Sequence, residues 1–313
     1  MRVLVFGATG FAGIHLVNAL TLAGHTVCAV EHRSPPTGVN ALVERARCDI
    51  RDADGVAALL AAFEPDAIVN LAGLASPPAA HREPADAFEV NVLGPVHLLE
   101  AVARSERSPR ILIVSSSEVY GRVAPEEFPL TEEARLAPAG IYGASKASVD
   151  GMTRAFVAAK GVDAICVRPF NHTGPGQGAD FVCADFATQL AEISLQRREA
   201  LLEVGNLDVT RDFTDVRDIA LGYVALLEKG RSGEVYNLCS GRAVLLRGMV
   251  DELCAIAGVS PEIRTVPERW RPADVPAYWG SAAKAEADLG WKPAIPWRRT
   301  LEDLYEDCLE RIR

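Results

Sequence analysis

The segment Tyr142-Gly143-Ala144-Ser145-Lys146 sets a phenol and an amine four residues apart. On a helix, that spacing puts both on one face. A free phenol, with a pKa of about 10, is a poor base at neutral pH. A neighbouring ammonium favours the phenolate and draws that value down toward a range useful for proton transfer. The run Ser115-Ser116-Ser117-Glu118 follows a short apolar stretch. A hydroxyl there stands at the end of a buried strand, where Ser116 is the candidate to hydrogen-bond a reacting carbonyl and steady its developing charge. Glu118 is either a second acid/base group or a structural acid. The chemistry these groups support together is proton exchange at an oxygen.

A second constellation lies at the N-terminus. Gly7-Ala8-Thr9-Gly10-Phe11-Ala12-Gly13 joins an apolar run at 2–6 to a helical pattern. Glycines in such a turn let backbone approach a pyrophosphate, and the helix start offers unpaired N–H groups and a positive dipole end. The spacing GxxGxxG is common by chance, so its position directly after a buried strand carries the weight. Gly7, Thr9, Gly10, Phe11, Ala12 and Gly13 are the expected phosphate-side contacts. Glu31, about 20 residues on, suits the adenosine ribose hydroxyls and disfavours a 2′-phosphate, whereas Arg33 suits that phosphate. The balance leans to NAD(H) over NADP(H). Asp49-Ile50 follows the third strand and is either an adenine contact or a solvated loop acid. Leu71-Ala72-Gly73 would run along the dinucleotide, Pro169 would border it, and Tyr142 and Lys146 would meet its nicotinamide end.

These groups need a scaffold that brings strand ends together. Runs at 2–6, 26–30, 45–48, 67–70, 111–115 and 164–167 read as strands, and most are Val/Ile/Leu-rich and nearly continuous, as in strands buried on both faces of a parallel sheet. Helical patterns at 12–23, 53–63, 85–105 and 142–160 alternate with them. The fold class is α/β: a Rossmann-type doubly wound parallel sheet with a smaller C-terminal substrate domain. Residues 169–178 read as a loop, 179–197 as a helix, 202–204 as a short run and 216–227 as a helix. A strand at 234–238 returns to the sheet, 246–257 is helical, 261–276 irregular and 301–312 a terminal helix. The implied domains are 1–170, with 211–240 returning to it, and 171–210 with 241–313.

The 313 residues, 49% hydrophobic, suffice for a sizeable core and exclude a disordered chain or a disulfide-stapled miniature. A net charge of −10 argues against a nucleic-acid or anionic-membrane partner. No apolar run approaches the roughly 20 residues of a membrane span, and a glycine at position 7 comes too early for a signal peptide. Seven scattered cysteines without a CxxC pair point to a reduced, cytoplasmic protein with no metal site.

With Gly7–Gly13, Ser116, Tyr142 and Lys146 in place, the chain resembles the extended short-chain dehydrogenase/reductases of the nucleotide-sugar branch over essentially its whole length. The resemblance implies an NAD(P)-binding Rossmann domain and a C-terminal domain that holds a nucleoside-diphosphate sugar. It implies Ser116, Tyr142 and Lys146 as the catalytic set. The segments 168–177, 204–218 and 235–241 are similar to those of enzymes acting on GDP-sugars, reductases of GDP-4-keto-6-deoxy-hexoses above all. That similarity nominates Ser117, Asn171, Val204, Arg211 and Arg271 as substrate contacts, the arginines toward the diphosphate. It implies reduction of a C4 ketone by NAD(P)H. Glu118, shared with 4,6-dehydratases, keeps dehydratase or 4-epimerase chemistry as the alternative. A homodimer or higher oligomer built on helices 85–105 and 142–160 is the expected assembly.

Overall fold

The structure, a computed structural model, describes residues 1–32, 43–269 and 275–313. The first half alternates as the apolar runs require: β1 (Arg2–Phe6), α1 (Phe11–Leu22), β2 (Thr26–Glu31), β3 (Glu44–Arg47), α2 (Ala53–Phe63) and β4 (Ala67–Asn70). Next come α3 (Pro77–Arg82), α4 (Pro84–Phe88), α5 (Gly94–Arg104), β5 (Arg110–Val114), α6 (Ile141–Lys160) and β6 (Ala164–Pro169). The second half holds β7 (Asn171–Thr173), α7 (Val182–Ser194), β8 (Leu201–Val204), β9 (Thr210–Arg211), β10 (Phe213–Asp215), α8 (Val216–Lys229) and β11 (Val235–Leu238). The chain closes with β12 (Val244–Leu245), α9 (Leu246–Ala257), β13 (Glu262–Thr265), β14 (Ala277–Tyr278), α10 (Ala283–Leu289) and α11 (Trp297–Ile312).

Among the described residues the central sheet has seven strands in the order β11-β6-β5-β4-β1-β2-β3, every pair parallel. Strand order reverses between β1 and β4, so a crevice opens at their carboxyl ends. The period-two rule divides the core cleanly. Val3 and Val5 face Leu16, Leu20, Ile219 and Tyr223 of α1 and α8. Leu4 and Phe6 face Val56, Leu60, Leu98 and Val149 of α2, α5 and α6. A separate core joins α7, α9 and α11 to β8 through Leu190, Leu202, Leu253 and Leu304.

Three sequence expectations need correction. Residues 85–105 are not one helix: a π-turn, Glu89–Leu93, separates α4 from α5. Pro95 has no N–H and cannot continue the ladder, and the widened turn absorbs that break. Residues 261–276 are not wholly irregular, because Glu262–Thr265 pairs in parallel with Leu201–Val204. This strand is exposed throughout, so no apolar run announced it. The 169–178 loop contains β7, which pairs with β10 forty residues downstream. Among the described residues no helix is long and apolar enough to cross a membrane.

Candidate active site

A cleft runs along the carboxyl ends of the sheet in two lobes that share Gly7, Gly10, Leu71 and Gly73. One lobe, of about 360 Å³, is lined by Thr9, Asp49, Ile50 and Ala72. The other, of about 320 Å³, is lined by Phe11, Ala12, Gly13, Ser116, Ser117, Glu118, Tyr142, Lys146, Pro169 and Asn171.

The glycine loop fits a dinucleotide pyrophosphate. A Cβ on Gly13 would lie 2.2 Å from the Gly7 carbonyl oxygen, so only glycine lets α1 start this close to β1. The N-cap of α1, Gly10, has no side-chain cap, and the first turn has no acid. The helix's orphan N–H groups and positive dipole end therefore stay available to an anion.

In the Asp49 lobe, the Asp49 carboxylate accepts from Arg51 Nε at 3.1 Å and Nη2 at 2.7 Å, and His32 Nε2 lies 3.1 Å away. The Arg51 hydrogen bonds hold the Asp49 carboxyl down at about 2. Arg51 reaches on to Asp86 at 3.1 Å. The sequence reading missed both His32 and Arg51. The run Asp-Ile-Arg, with the base two residues after the acid, was the available signal. Glu31 ends β2 with its Oε2 buried and without a partner among the described residues. Arg33 lies outside the described residues.

The Tyr142 lobe is built by the start of α6 docking on the turn after β5. A Cβ on Gly143 would come 2.6 Å from the Glu118 carbonyl oxygen, which explains a glycine directly after the tyrosine. Ser116 caps the 3-10 turn Ser117–Val119, its hydroxyl accepting from Glu118 N–H at 3.2 Å. The same hydroxyl acts on Tyr142 in the sense that favours the phenolate. Lys146 lies buried, donates to the Val114 carbonyl at 2.9 Å and sits 5.9 Å from the Tyr142 ring centre.

The expectation that Lys146 draws down the Tyr142 phenol is not met in the protein alone. Burial pushes that phenol up to about 12, opposed by the Ser116 hydroxyl and aided by Glu118. Burial also pulls the Lys146 ammonium down to about 8. Desolvation disfavours the charged form of each and is the largest cause of both shifts.

Asn91, on the π-turn, was also missed. Its Oδ1 accepts from Leu74 N–H at 2.8 Å and its Nδ2 donates to Ser145 Oγ at 3.0 Å. Ser145 in turn donates to the Tyr142 carbonyl at 2.7 Å. The loop after β4 is thereby tied to the start of α6. His172 is a third omission: its ring stacks on Phe11, centroids 6.0 Å apart and planes 7° apart, and burial lowers its pKa.

At the substrate end, Ser117 and Asn171 both line the lobe. Arg211 lies on β9, half-buried, and donates to the Val275 carbonyl at 2.8 Å. Tyr278 on β14, the neighbour of β9, donates to the Ser117 carbonyl. Val204 is a correction. Its side chain is fully buried in the core of α7, α9 and α11, because β8 alternates and Val204 falls on the inward register with Leu202. Arg271 lies outside the described residues.

Residues 4–304 match the GDP-mannose 4,6 dehydratase family. The chain belongs to that family. It is a nicotinamide-dependent enzyme of the extended short-chain dehydrogenase/reductase group that acts on nucleotide sugars. Over 312 residues it is 36% identical to the GDP-6-deoxy-D-mannose reductase of Pseudomonas aeruginosa, covering 100% of this chain and 98% of that one. The structure of RMD from P. aeruginosa complexed with NADPH superposes with a TM-score of 0.88 at 34% identity, covering 99% of each chain. The Thermus thermophilus UDP-glucose 4-epimerase in complex with NAD also superposes at 0.88, with 27% identity over 98% of this chain and 99% of that one.

Proposed function

We propose that this family member reduces the C4 ketone of GDP-4-keto-6-deoxy-D-mannose to give GDP-D-rhamnose. A bound nicotinamide supplies the hydride. Tyr142 gives its proton to the carbonyl oxygen as charge develops there. A phenol held up near 12 stays protonated at neutral pH, which is the state a proton donor needs. Ser116 hydrogen-bonds the same oxygen, and it lines the same lobe as Tyr142. Lys146 would hold the cofactor ribose and supports the phenolate left after transfer. Asn171, Ser117, Arg211 and Arg271 take the GDP-sugar, the guanidiniums toward its diphosphate.

The observation that carries this reading is the joining of Ser116, Tyr142 and Lys146 at one cleft wall, in a chain aligned end to end with a GDP-6-deoxy-D-mannose reductase. Purified protein incubated with GDP-4-keto-6-deoxy-D-mannose and either nicotinamide should oxidise the cofactor mole for mole. No oxidation of either overturns the reading. Glu118, which lines the same lobe and acts electrostatically on Tyr142, favours the 4,6-dehydratase as the second reading. Turnover of GDP-mannose by protein purified with tightly held NAD⁺ would establish that one instead.

Three finer points belong to the same reading. The lean to NAD(H) is supported by the Glu31 oxygen at the end of β2, which has no partner among the described residues. A homodimer through segments 85–105 and 142–160 is supported by the exposed Phe88, Leu93 and Met152 on them. A cytoplasmic location is supported by seven free cysteines.

A further inference from the structure

The reductase reading makes no use of Tyr223, a fully buried tyrosine in the middle of α8. The helix starts at the cleft: β10, which leads into it, pairs with β7, whose Asn171 and His172 line the Tyr142 lobe. Long helical side chains lean back toward the N-terminus of their helix. Tyr223 therefore carries its ring up through the core it shares with Val5 and Val114 and reaches the lobe that Gly13, Val114 and Pro169 also line. Its hydroxyl is sealed from solvent and has no hydrogen-bond partner among the described residues. Burial drives its pKa up, and Tyr142 adds to the push, so the two phenols are within electrostatic reach.

The ring alone would serve the core equally well as phenylalanine. A buried hydroxyl left without a partner is costly, and Tyr223 is one of the residues that line the cleft, so a ligand group that closes on this wall can supply the partner. Along the cleft, the start of α1 takes the pyrophosphate and the Asp49 lobe lies to one side, so the nicotinamide half falls in the Tyr142 lobe. Lys146 and Tyr142 stand on the wall formed by α6, where the ribose and the substrate oxygen meet them. On the nicotinamide ring, the remaining polar group is the carboxamide, which offers one acceptor and an N–H donor. A phenol hydroxyl can answer either. We propose that Tyr223 hydrogen-bonds the nicotinamide carboxamide and so fixes which face of the ring turns toward the substrate carbonyl. The inference rests on the family's nicotinamide cofactor and makes Tyr223 a cofactor-positioning residue beyond the Ser116, Tyr142 and Lys146 set.

The test is Tyr223→Phe, titrated calorimetrically with NADH and NADPH and with ADP-ribose and its 2′-phosphate, which lack the nicotinamide. Loss of one neutral hydrogen bond should weaken binding of the better dinucleotide about fivefold. Binding of the matching truncated ligand should be unchanged, and the ligand-free melting temperature should not fall. Unchanged dinucleotide affinity overturns the inference. So does equal weakening of the truncated ligand, or a lowered ligand-free melting temperature, since each marks a structural hydroxyl. Wild-type protein that binds neither dinucleotide would sink the cofactor reading and this inference together. Wild type that binds, with a variant that binds equally well, sinks the inference alone.

Discussion

The two lobes of the cleft treat their ionisable groups in opposite ways. In the Asp49 lobe, charges are kept. Asp49 is held near 2 by Arg51, and half-exposed side chains pass the charge on to Asp86. In the Tyr142 lobe, burial opposes charge: the phenol stays neutral, and the lysine keeps its proton at neutral pH by a narrower margin than usual. Tyr142 is raised to about 12 and Lys146 lowered to about 8, each by burial. The difference separates holding from reacting. A fixed, solvated ion network gives a ligand a rigid polar edge to bind against. A desolvated lobe keeps a phenol protonated until a developing alkoxide draws the proton off, and there each hydrogen bond gains strength from the low dielectric.

The comparison predicts which property each lobe controls. The largest effect belongs to Tyr142→Phe, which removes the proton donor and should lower kcat by about 10²- to 10⁴-fold. Dinucleotide affinity, read by calorimetry, should change little. A variant with near wild-type kcat would end the claim that the desolvated lobe performs the proton transfer.

A smaller effect should appear in the pH profile of kcat/KM, which reports on the free enzyme. Burial brings the Lys146 ammonium down from the ordinary lysine value to about 8. Raising the pH through 8 strips its proton. Once most of the lysine is neutral, activity should fall about tenfold per unit, with no break from Tyr142 below 10. A profile flat to pH 10 would show that the lysine's charge is dispensable. The same shift adds a stability term of the opposite sense. The unfolded lysine binds more protons than the folded one between 8 and its ordinary 10.5, so this group's contribution to stability rises with pH across that window.

The smallest effect is expected in the other lobe. Asp49→Ala releases Arg51 and removes the fixed polar edge, which should weaken dinucleotide binding about fivefold with kcat at saturating cofactor unchanged. A fall in kcat would mean that the two lobes are not separable in the way their charges indicate.

Much of this arrangement could be read before any coordinate was known. The helices at 53–63 and 246–257 end where their apolar periodicity ends, and Asp52 caps the first by accepting from Gly55 N–H at 3.1 Å. The buried strands were legible for the same reason, since continuous Val/Ile/Leu runs have few other uses. What escaped notice were elements made by distant pairing. The strands at 171–173, 210–211, 213–215 and 277–278 are two or three residues long, too short to show a period, and exist because partners 40 to 70 residues away complete them. Val204 was misassigned on the same account, because its alternation within β8 turns it into the C-terminal core.

The order of strands and helices, the glycine turn into α1 and the shared helical face of Tyr142 and Lys146 were all set by the sequence, because each depends on neighbours within a few residues. Tertiary structure alone decided the pKa shifts of those two groups, the tie from Asn91 through Ser145 to the start of α6, and the presence of Tyr223 in the cleft lining from a helix that reads as plain core. Desolvation is the physical reason. It sums the surroundings contributed by strands and helices far apart in the chain, and no local spacing encodes that sum.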